Sequence, residues 1–285
     1  MLFVVLLLLL LDATLQGQAA CPAAGPVTAD VVAVGCTDVQ LAVAADNVTL
    51  TLEGALGSIS ITSDRAGTIL HLRDSTLSGN ISLLGPHSFV EVLRSTVTGG
   101  GSVVVLTGTR NVTITVTDST LAGADVASIV ASTTVVGASI TVTNSTLTAT
   151  RYVASIIAGG SMRDVVIVTS SSHLVLSGRG SNVGVLALVG PTVIRATVKV
   201  TASSVSCDVV GDAIGILGAG TREGVTWTTV VIAVEDSNVT STARDFVGIL
   251  GAGCLNGAVT WTDVNISISS GNVRNRSGWS SMARA

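Results

Sequence analysis

Aromatic and charged side chains are scarce in this sequence. Phe, Trp and Tyr together make up 2% of the 285 residues and Asp, Glu, Lys and Arg make up 11%, whereas hydrophobic residues reach 47%. An average globular domain carries about twice that share of charged residues. A core filled with large aromatic rings is excluded. The remaining candidates are a membrane protein and a fold made almost entirely of small β-forming side chains.

Long apolar segments and basic clusters are missing as well. After Leu11, Ser and Thr interrupt Val, Ile and Leu throughout, so no run approaches the roughly 20 residues of a membrane-spanning helix. The formal net charge is −4, and Lys199 is the single lysine. Nucleic acid is therefore not expected as a partner. Since one pattern runs through nearly the whole sequence, we expect a single continuous domain.

The N-terminal segment has the pattern of a secretory signal peptide. An unbroken apolar run covers residues 2–11, Asp12 ends it, and small residues follow near 17–20. An apolar region followed by a small-residue cleavage site predicts a signal peptide over residues 1–20 and a secreted or cell-surface product. Because no Lys or Arg precedes the run, a buried strand or a start further upstream remains the alternative.

Sequons for N-glycosylation are more frequent than chance predicts for the number of Asn residues. They begin at Asn47, Asn80, Asn111, Asn144, Asn238, Asn265 and Asn275. Glycosylation requires a eukaryotic secretory route and exposed side chains. Since the repeat described below itself places Thr two residues after Asn, a by-product of the repeat remains the alternative explanation.

The four cysteines indicate disulfides rather than metal binding. An even number in a secreted chain favours disulfide pairing, and no Cys-x-x-Cys spacing is present for zinc or thioredoxin-type chemistry. Cys21 and Cys36 bracket the stretch before the repeats, so we expect them to be paired in an N-terminal cap over residues 21–45. The pairing of Cys207 with Cys254 is left open.

A repeated phrase dominates the rest of the sequence: an alternating apolar strand, a polar break, and then Ser-Thr-Leu or a variant. The apolar residues that end the phrase are Leu77, Val97, Leu121, Leu147, Leu174, Val205, Val239 and Val273, and their spacing grows from 20 to 34 residues. Periods of this size indicate a solenoid. An apolar period of two and abundant β-branched residues exclude helical repeats.

The predicted fold is therefore all-β: a parallel, right-handed β-helix of about eight to nine coils over residues 46–273, with an off-pattern tail at 274–285. The phrase-ending residues should stack on one another in the core. The Asp/Asn-Ser pair at the polar break should end each strand, because these side chains hydrogen-bond to nearby backbone and favour a bend.

These phrases resemble a known family, the dispersed gene family surface proteins of trypanosomes. The resemblance rests on residues 113–121 and 141–147, on the Gly-Ile-Leu-Gly-Ala-Gly phrases at 214–220 and 247–253, and on the opening 21–25, and it spans about 2–273. It implies a glycosylated, surface-associated protein of β-helical character that functions in adhesion, with host-cell-surface or extracellular-matrix molecules as partners. Family members are far longer and carry membrane spans downstream. The chain is therefore expected to be an N-terminal fragment or truncated member, with any membrane anchor in regions absent from it.

Parallel β-helices include polysaccharide lyases and hydrolases, so a catalytic site was sought among the acidic residues. Such sites need carboxylates that converge on neighbouring coils. The repeat places Asp74, Arg94, Asp118 and Asn144 in one column, where the arginine separates the two acids and indicates a neutralised ladder. The adjacent Glu235 and Asp236 should face opposite sides of a strand.

Other motifs give no stronger signal for chemistry. His71, His87 and His173 have no metal-ligand spacing. The glycines of 218–220 and 251–253 have one residue too many before the next glycine for a dinucleotide loop, so we interpret them as coil turns. Trp227 and Trp261 are interpreted as structural, with sugar binding as the alternative. We therefore expect no catalytic residue, cofactor or metal.

Two classes of function remain. The first is a structural scaffold or adhesin-like binding surface. The second is a polysaccharide-acting β-helix enzyme, a lyase or hydrolase, whose site is not visible in this sequence.

Overall fold

The structure, a computed structural model, is a stack of parallel β-coils. It describes residues 21–275 apart from 23–24, 180–183, 211, 214–216, 222–223, 243–244, 247–249 and 255–257. The predicted signal peptide and most of the predicted tail lie outside these residues. Each coil contributes a strand to each of two large sheets, so the chain rises by one strand per turn.

The first sheet contains fifteen strands. They are β1 (Gly25–Val27), β3 (Thr37–Val43), β5 (Leu56–Ser63), β7 (Thr76–Leu83), β9 (Thr96–Thr98), β10 (Val104–Thr107), β12 (Thr120–Ala131), β15 (Thr146–Ala158), β17 (His173–Arg179), β18 (Gly184–Val189), β20 (Ser204–Val210), β22 (Leu217–Thr221), β24 (Asn238–Ser241), β26 (Leu250–Cys254) and β28 (Asn272–Asn275).

The second sheet contains eleven strands. They are β2 (Val31–Val34), β4 (Thr49–Glu53), β6 (Ile69–Arg73), β8 (Phe89–Leu93), β11 (Thr113–Thr117), β13 (Val135–Val136), β14 (Ser139–Thr143), β16 (Ser161–Ser170), β19 (Thr192–Thr201), β23 (Val225–Glu235) and β27 (Val259–Ser269). Two short strands, β21 (Asp212–Ala213) and β25 (Asp245–Phe246), form a separate pair.

The predicted parallel β-helix is confirmed, and the predicted register of its core is correct. Each phrase-ending residue from Leu77 to Val273 pairs directly with the next one through seven consecutive strand pairs. The first seven are at most 2% exposed, whereas Val273 is only partly buried because it lies in the last described coil. Since each coil stacks small apolar side chains on equivalent ones below, the core needs few aromatic rings. The right-handed sense stays a prediction.

The stack has more coils than the sequence phrase indicates. The main path of the second sheet holds ten strands among the described residues, rather than the predicted eight or nine. The additional coils lie at the N-terminal end, where β1, β2 and β3 fall inside the segment predicted as a cap. Residues 25–43 are therefore coils of the stack, which the phrase search missed because they lack the Ser-Thr-Leu ending. At the other end, β28 extends to Asn275, two residues into the predicted tail.

The N-terminal coil carries a disulfide between Cys21 and Cys36, the pair expected from the sequence. Their Cα atoms are 5.4 Å apart, within the range that a disulfide requires. Cys207 is a free, buried thiol, and burial raises its pKa to about 12. The structure therefore does not pair Cys207 with Cys254, whose own side chain lies outside the described part of the chain.

A buried serine ladder turns each coil from the second sheet into the first. Its members share the second position of the polar break. Each hydroxyl donates to the carbonyl two residues earlier and accepts the backbone N–H of the equivalent residue in the preceding coil, which is Ala55 for Ser75 and a ladder serine for the others. For Ser119 these distances are 2.6 Å to Thr117 O and 3.1 Å from Ser95 N. The serine ladder consists of Ser75, Ser95, Ser119, Ser145, Ser172, Ser203 and Ser237.

Candidate functional surface

The residue before each ladder serine adopts a left-handed backbone, and so does Ser270 at the equivalent position of the last described coil; these residues form the first turn column. It contains Asp74, Arg94, Asp118, Asn144, Ser171, Ala202, Asp236 and Ser270, with φ between 45° and 51°. Asp and Asn tolerate this conformation better than most residues, because their short polar side chains can hydrogen-bond locally. The column lies along one edge of the stack, and the four residues expected to align there are its first members.

Two acids of this column, Asp74 and Asp118, form hydrogen bonds with the next residue of the column. Arg94 Nε and Nη2 each donate to a carboxylate oxygen of Asp74, both at 2.7 Å. Asn144 Nδ2 donates to Asp118 Oδ1 at 2.6 Å. Hydrogen bonds from Arg94 hold the pKa of Asp74 below its ordinary value, and the same contact raises the pKa of Arg94. Asp74 is thus held as a carboxylate, which is the opposite of what a general acid at neutral pH requires.

The opposite edge of the stack has a second turn column. It contains Asn47, Gly67, His87, Asn111, Gly137, Asp164, Arg195, Thr229 and Asp263, all with positive φ. Arg195 donates to both carboxylate oxygens of Asp164, at 2.6 and 2.7 Å, and thereby lowers the pKa of Asp164. Both edges therefore use the same device, an arginine that bridges to an acid one coil away.

His71, Arg73 and Glu91 form a charged cluster on the outer face of the second sheet. His71 Nδ1 lies 2.8 Å and Arg73 Nη2 lies 3.0 Å from Glu91 Oε2. Burial alone would raise the pKa of Glu91, but the hydrogen bonds from Arg73 and His71 lower it on balance. The His71 ring also packs against Phe89, with centroids 5.7 Å apart. His71 therefore lies on the outer face of a strand, in contact with side chains of the next coil.

A buried acid that the sequence search missed lies where β12 bends. Asp125 is 5% exposed, and it accepts hydrogen bonds from Arg151 Nε at 2.6 Å, from Arg151 Nη2 and from Ser102 Oγ at 3.0 Å. The strand register of β12 against β15 shifts between Gly123 and Asp125, which marks a bulge. Aligning the Val-Ala-Ser-Ile phrases of 126–129 and 153–156 would have placed Tyr152 opposite Asp125, with Arg151 as the adjacent residue.

Asp125 and its partners have the geometry of a structural ion pair. Every carboxylate oxygen has a cationic or hydroxyl partner, and those partners come from the coils on either side. Burial raises the pKa of the adjacent Tyr152, and the Arg151 guanidinium lies 5.9 Å from the Tyr152 ring. The cluster therefore fixes the bend between three coils.

Two shallow grooves run across several coils. The turn-edge groove follows the first turn column at Ser171 and Ala202, where the side chains of the column are short. The walls of the groove include Asn144, His173, Asp236 and Asn238. Its lining is mostly hydroxyl and amide groups, with one imidazole and one carboxylate. Those groups suit a polar ligand held by hydrogen bonds.

The glycine groove lies on the first sheet above the Asp125 bend, along Gly79, Asn80, Gly99, Gly123 and Thr150. Its glycines have a packing reason. A Cβ on Gly79 would lie 1.9 Å from the Ile59 carbonyl oxygen, and one on Gly123 would lie 2.7 Å from that of Gly101. The close approach of successive coils therefore explains why these glycines line this groove.

The sequon asparagines lie on the surface. Asn47 and Asn111 belong to the second turn column, Asn144 to the first, and Asn80, Asn238 and Asn265 lie on strands; all six are exposed. The side chain of Asn275 lies outside the described part of the chain. The exposure that glycosylation requires is present at these six positions, and glycosylation itself stays a prediction.

The glycine phrases lie in strands, and the two tryptophans stack on each other. Gly218, Gly220, Gly251 and Gly253 lie in β22 and β26, which pair residue for residue, so their interpretation as turns is wrong. The phrase continues the small-residue strands of the first sheet. Trp227 is fully buried and stacks on Trp261, with ring centroids 6.1 Å apart and planes inclined by 14°. The structural role of Trp227 is confirmed.

Fold and surface define the class as a two-sheet parallel β-solenoid with ion-paired edges. Comparisons with protein-family models, curated proteins and solved structures find no match for this chain. Within the described residues, no three His, Cys, Asp or Glu side chains are placed to hold a metal ion. That part of the chain also contains no helix long and apolar enough to cross a membrane.

Proposed function

We propose that this chain acts outside the cell as a glycosylated β-solenoid, a structural scaffold or adhesin-like binding surface of the kind that its family resemblance implies. The observation that supports this most is the state of the edge acids. Asp74, Asp118 and Asp164 each contact an arginine or amide one coil away, which stabilises a continuous flank and leaves these carboxylates committed to the fold.

The proposed partners are host-cell-surface or extracellular-matrix molecules, and the proposed contact is the turn-edge groove. Its hydroxyl, amide and imidazole groups offer hydrogen bonds at one-coil spacing, about 4.8 Å, over several coils. A polar polymer or an extended loop could follow such a surface. Glycans on Asn144 and Asn238 would flank the same groove and limit what can enter it.

Secretion and glycosylation are tested by expressing the full chain in a eukaryotic secretory host. We expect the protein in the medium, shortened at its N-terminus, with a gel mobility that increases after enzymatic removal of N-glycans. Replacing all seven sequon asparagines by Gln should abolish that mobility change. Retention inside the cell without glycans would contradict the proposal.

Binding is tested by presenting the secreted chain to host-cell surfaces and to immobilised matrix components. A double variant, His173→Ala with Asp236→Ala, removes two groove side chains, and His87→Ala on the opposite edge is the matched control. We expect the double variant to bind at least about tenfold more weakly, a loss of about 1.4 kcal/mol, and the control to bind normally. Equal binding by all three proteins would place the contact elsewhere, and no binding by any would reject the adhesin proposal.

The competing enzymatic function is tested with pectin, pectate and glycosaminoglycan substrates, with and without calcium. The proposal expects no turnover above background. Turnover that disappears in Asp74→Asn or Asp118→Asn would contradict it and favour a polysaccharide-acting enzyme.

A further inference from the structure

Two residues of the glycine groove are glycines without a packing reason. A Cβ added to Gly79, Gly99 or Gly123 would lie within 2.7 Å of a carbonyl oxygen in a neighbouring coil. A Cβ added to Gly100 or Gly101 would meet no atom within 4 Å, and neither residue has a positive φ. Crowding and backbone conformation therefore do not require glycine there. Glycines are also found where a ligand approaches the backbone closely.

The backbone below this open space has hydrogen-bond donors to offer. Gly99 N–H and Val103 N–H donate to carbonyl oxygens of the next coil, at 2.8 and 2.7 Å, and hold the loop between β9 and β10 against the stack. Between them, Gly100 and Gly101 are exposed, and their N–H groups have no acceptor among the described residues. These donors can reach a carbonyl or hydroxyl oxygen that lies in the groove.

The lining of the glycine groove is uncharged. It consists of Gly, Ala, Ser, Thr and Asn residues. The column Ser78, Thr98, Ala122 and Thr148 follows the groove across four coils, and each member pairs with the next. Three strand spacings give it a length of about 14 Å. Hydroxyl groups beside methyl groups and bare backbone suit a neutral ligand with apolar faces and hydroxyl edges, which is the chemistry of a sugar.

Asn80 connects this groove to a sugar. It begins the sequon Asn80-Ile81-Ser82, its side chain is exposed, and it belongs to the groove lining. A glycan on Asn80 Nδ2 therefore starts inside the groove. The sequon residue Asn111 lies in the second turn column and is outside this lining. Covalent attachment keeps the sugar at a high local concentration, so weak contacts are enough to hold it in place.

We propose that the first sugars of an N-glycan on Asn80 lie in the glycine groove and cover the backbone of Gly100 and Gly101. The inference rests on the glycosylation in the proposed function. The oligosaccharide is transferred from an activated lipid-linked donor of the secretory route, so that Nδ2 loses one proton and the pyrophosphate leaves. The glycine groove is then occupied by the chain's own glycan, and the turn-edge groove remains accessible to a partner.

The test measures how well each glycan is protected in the folded protein. The full chain is secreted from a eukaryotic host in which mannose trimming is blocked, so that all glycans are equal. The folded protein is treated with an endoglycosidase that cuts between the first two sugars, and glycopeptide mass spectrometry gives the release rate at each sequon. Gly100→Gln fills the groove without a clash, because a Cβ there meets no atom. Thr133→Gln, at an exposed position outside the groove, is the matched control.

We expect the glycan on Asn80 to be released at least about tenfold more slowly than the glycan on Asn111 in the folded protein. The two rates should be equal after unfolding in denaturant. Gly100→Gln should raise the Asn80 rate to that of Asn111, whereas Thr133→Gln should leave it slow. Thermal unfolding checks that both variants are folded.

Equal release rates at the two sites of the folded wild type would overturn the inference, and so would slow release that persists in Gly100→Gln. An unmodified Asn80 beside glycans at other sequons would also overturn it, while leaving the proposed glycoprotein standing. A secreted chain without any glycan would reject both.

Discussion

At the scale of single residues, a small hydroxyl in the core holds successive coils together. A ladder serine is buried, yet its hydroxyl satisfies a carbonyl in its own coil and a backbone N–H in the coil before. Buried backbone groups need such partners. Ala55 occupies the same column one coil before Ser75, and its N–H bonds to the Ser75 hydroxyl. Alanine therefore fits the position sterically, and what serine adds is the hydrogen bonds.

Removing one ladder hydroxyl tests this. Ser119→Ala leaves the buried Ser95 N–H without its acceptor, and we expect the free energy of unfolding to fall by about 2 kcal/mol. Thr120→Ala, at the exposed neighbouring position, is the control and should change stability by less than about 0.5 kcal/mol. Urea unfolding followed by circular dichroism measures both. Equal effects would show that the ladder hydrogen bonds contribute little.

The outer-face cluster predicts a pH dependence with a definite sign. The pKa of Glu91 is lowered from its ordinary value of 4.5, so its contribution to stability is present above that value and is lost as the pH falls through the lower folded-state pKa. Glu91→Gln should be about 1 kcal/mol less stable than the wild type at pH 7. The difference between the two proteins should shrink as the pH falls below 4.5 and through the lower folded-state pKa of Glu91.

Stability curves from pH 7 to pH 3 check this, with Asp236→Asn as the control. Asp236 is exposed and forms no ion pair with the described residues, and Asn suits its left-handed backbone equally well. The control should follow the wild type throughout. A gap between wild type and Glu91→Gln that persists at pH 3 would mean that the packing of the Gln side chain, rather than charge, is responsible.

At the scale of strands, bulges and bends let long strands follow the corner of the coil. β12 and β15 have 12 and 13 residues and run through a register shift, where the ladder is locally disrupted. Asp125 lies at this shift and accepts hydrogen bonds from Ser102 in the preceding coil and Arg151 in the following coil. The bend is thus stabilised by a polar cluster inside an otherwise apolar sheet.

The contacts at this bend predict that replacing Arg151 lowers the free energy of unfolding more than replacing Arg195 does. Arg151→Met leaves the buried Asp125 carboxylate without its cation. We expect a loss of about 2 kcal/mol, below the ~3–5 kcal/mol of fully buried pairs because Arg151 is itself half exposed. Arg195→Met removes the same bidentate contact from the exposed Asp164 and should change stability little. Thermal and urea unfolding of the two variants compare them, and equal losses would contradict a special role for the bend.

At the scale of the whole molecule, stability comes from contacts between neighbouring coils, as in other solenoids. An inner coil has a neighbour on both sides, whereas the last described coil has one. Val239 and Val273 occupy consecutive steps of the same core ladder. Val239 is fully buried and Val273 is only partly buried.

The same substitution at these two positions measures the effect of position in the stack. Val239→Ala should lower the free energy of unfolding by about 2 kcal/mol, because it removes apolar contacts on both sides. Val273→Ala should cost less than half of that, because Val273 is only partly buried. Similar losses at both positions would contradict this dependence on position.

Structural features that depend on neighbouring residues in the sequence could be predicted, whereas features that depend on contacts between coils could not. The core register from Leu77 to Val273 was predictable, because each member follows the same polar break and a slip by one residue would turn the apolar face outward. The first coils were missed because residues 25–43 fold by the same strand alternation without the phrase. Asp125 was missed as a site because its partners, Ser102 and Arg151, are 23 and 26 residues away.

The amino-acid sequence by itself determined the fold class, the stacking register and the Cys21–Cys36 pair, since strand period, repeat spacing and small side chains are local properties. Only the tertiary structure decided that Arg195 meets Asp164 on the second edge, that the ladder serines are buried, and that Asp125 lies between Ser102 and Arg151 at the bend. The physical reason is that these properties depend on which residues meet across coils, and that distance along the chain grows from 20 to 34 residues as the loops lengthen.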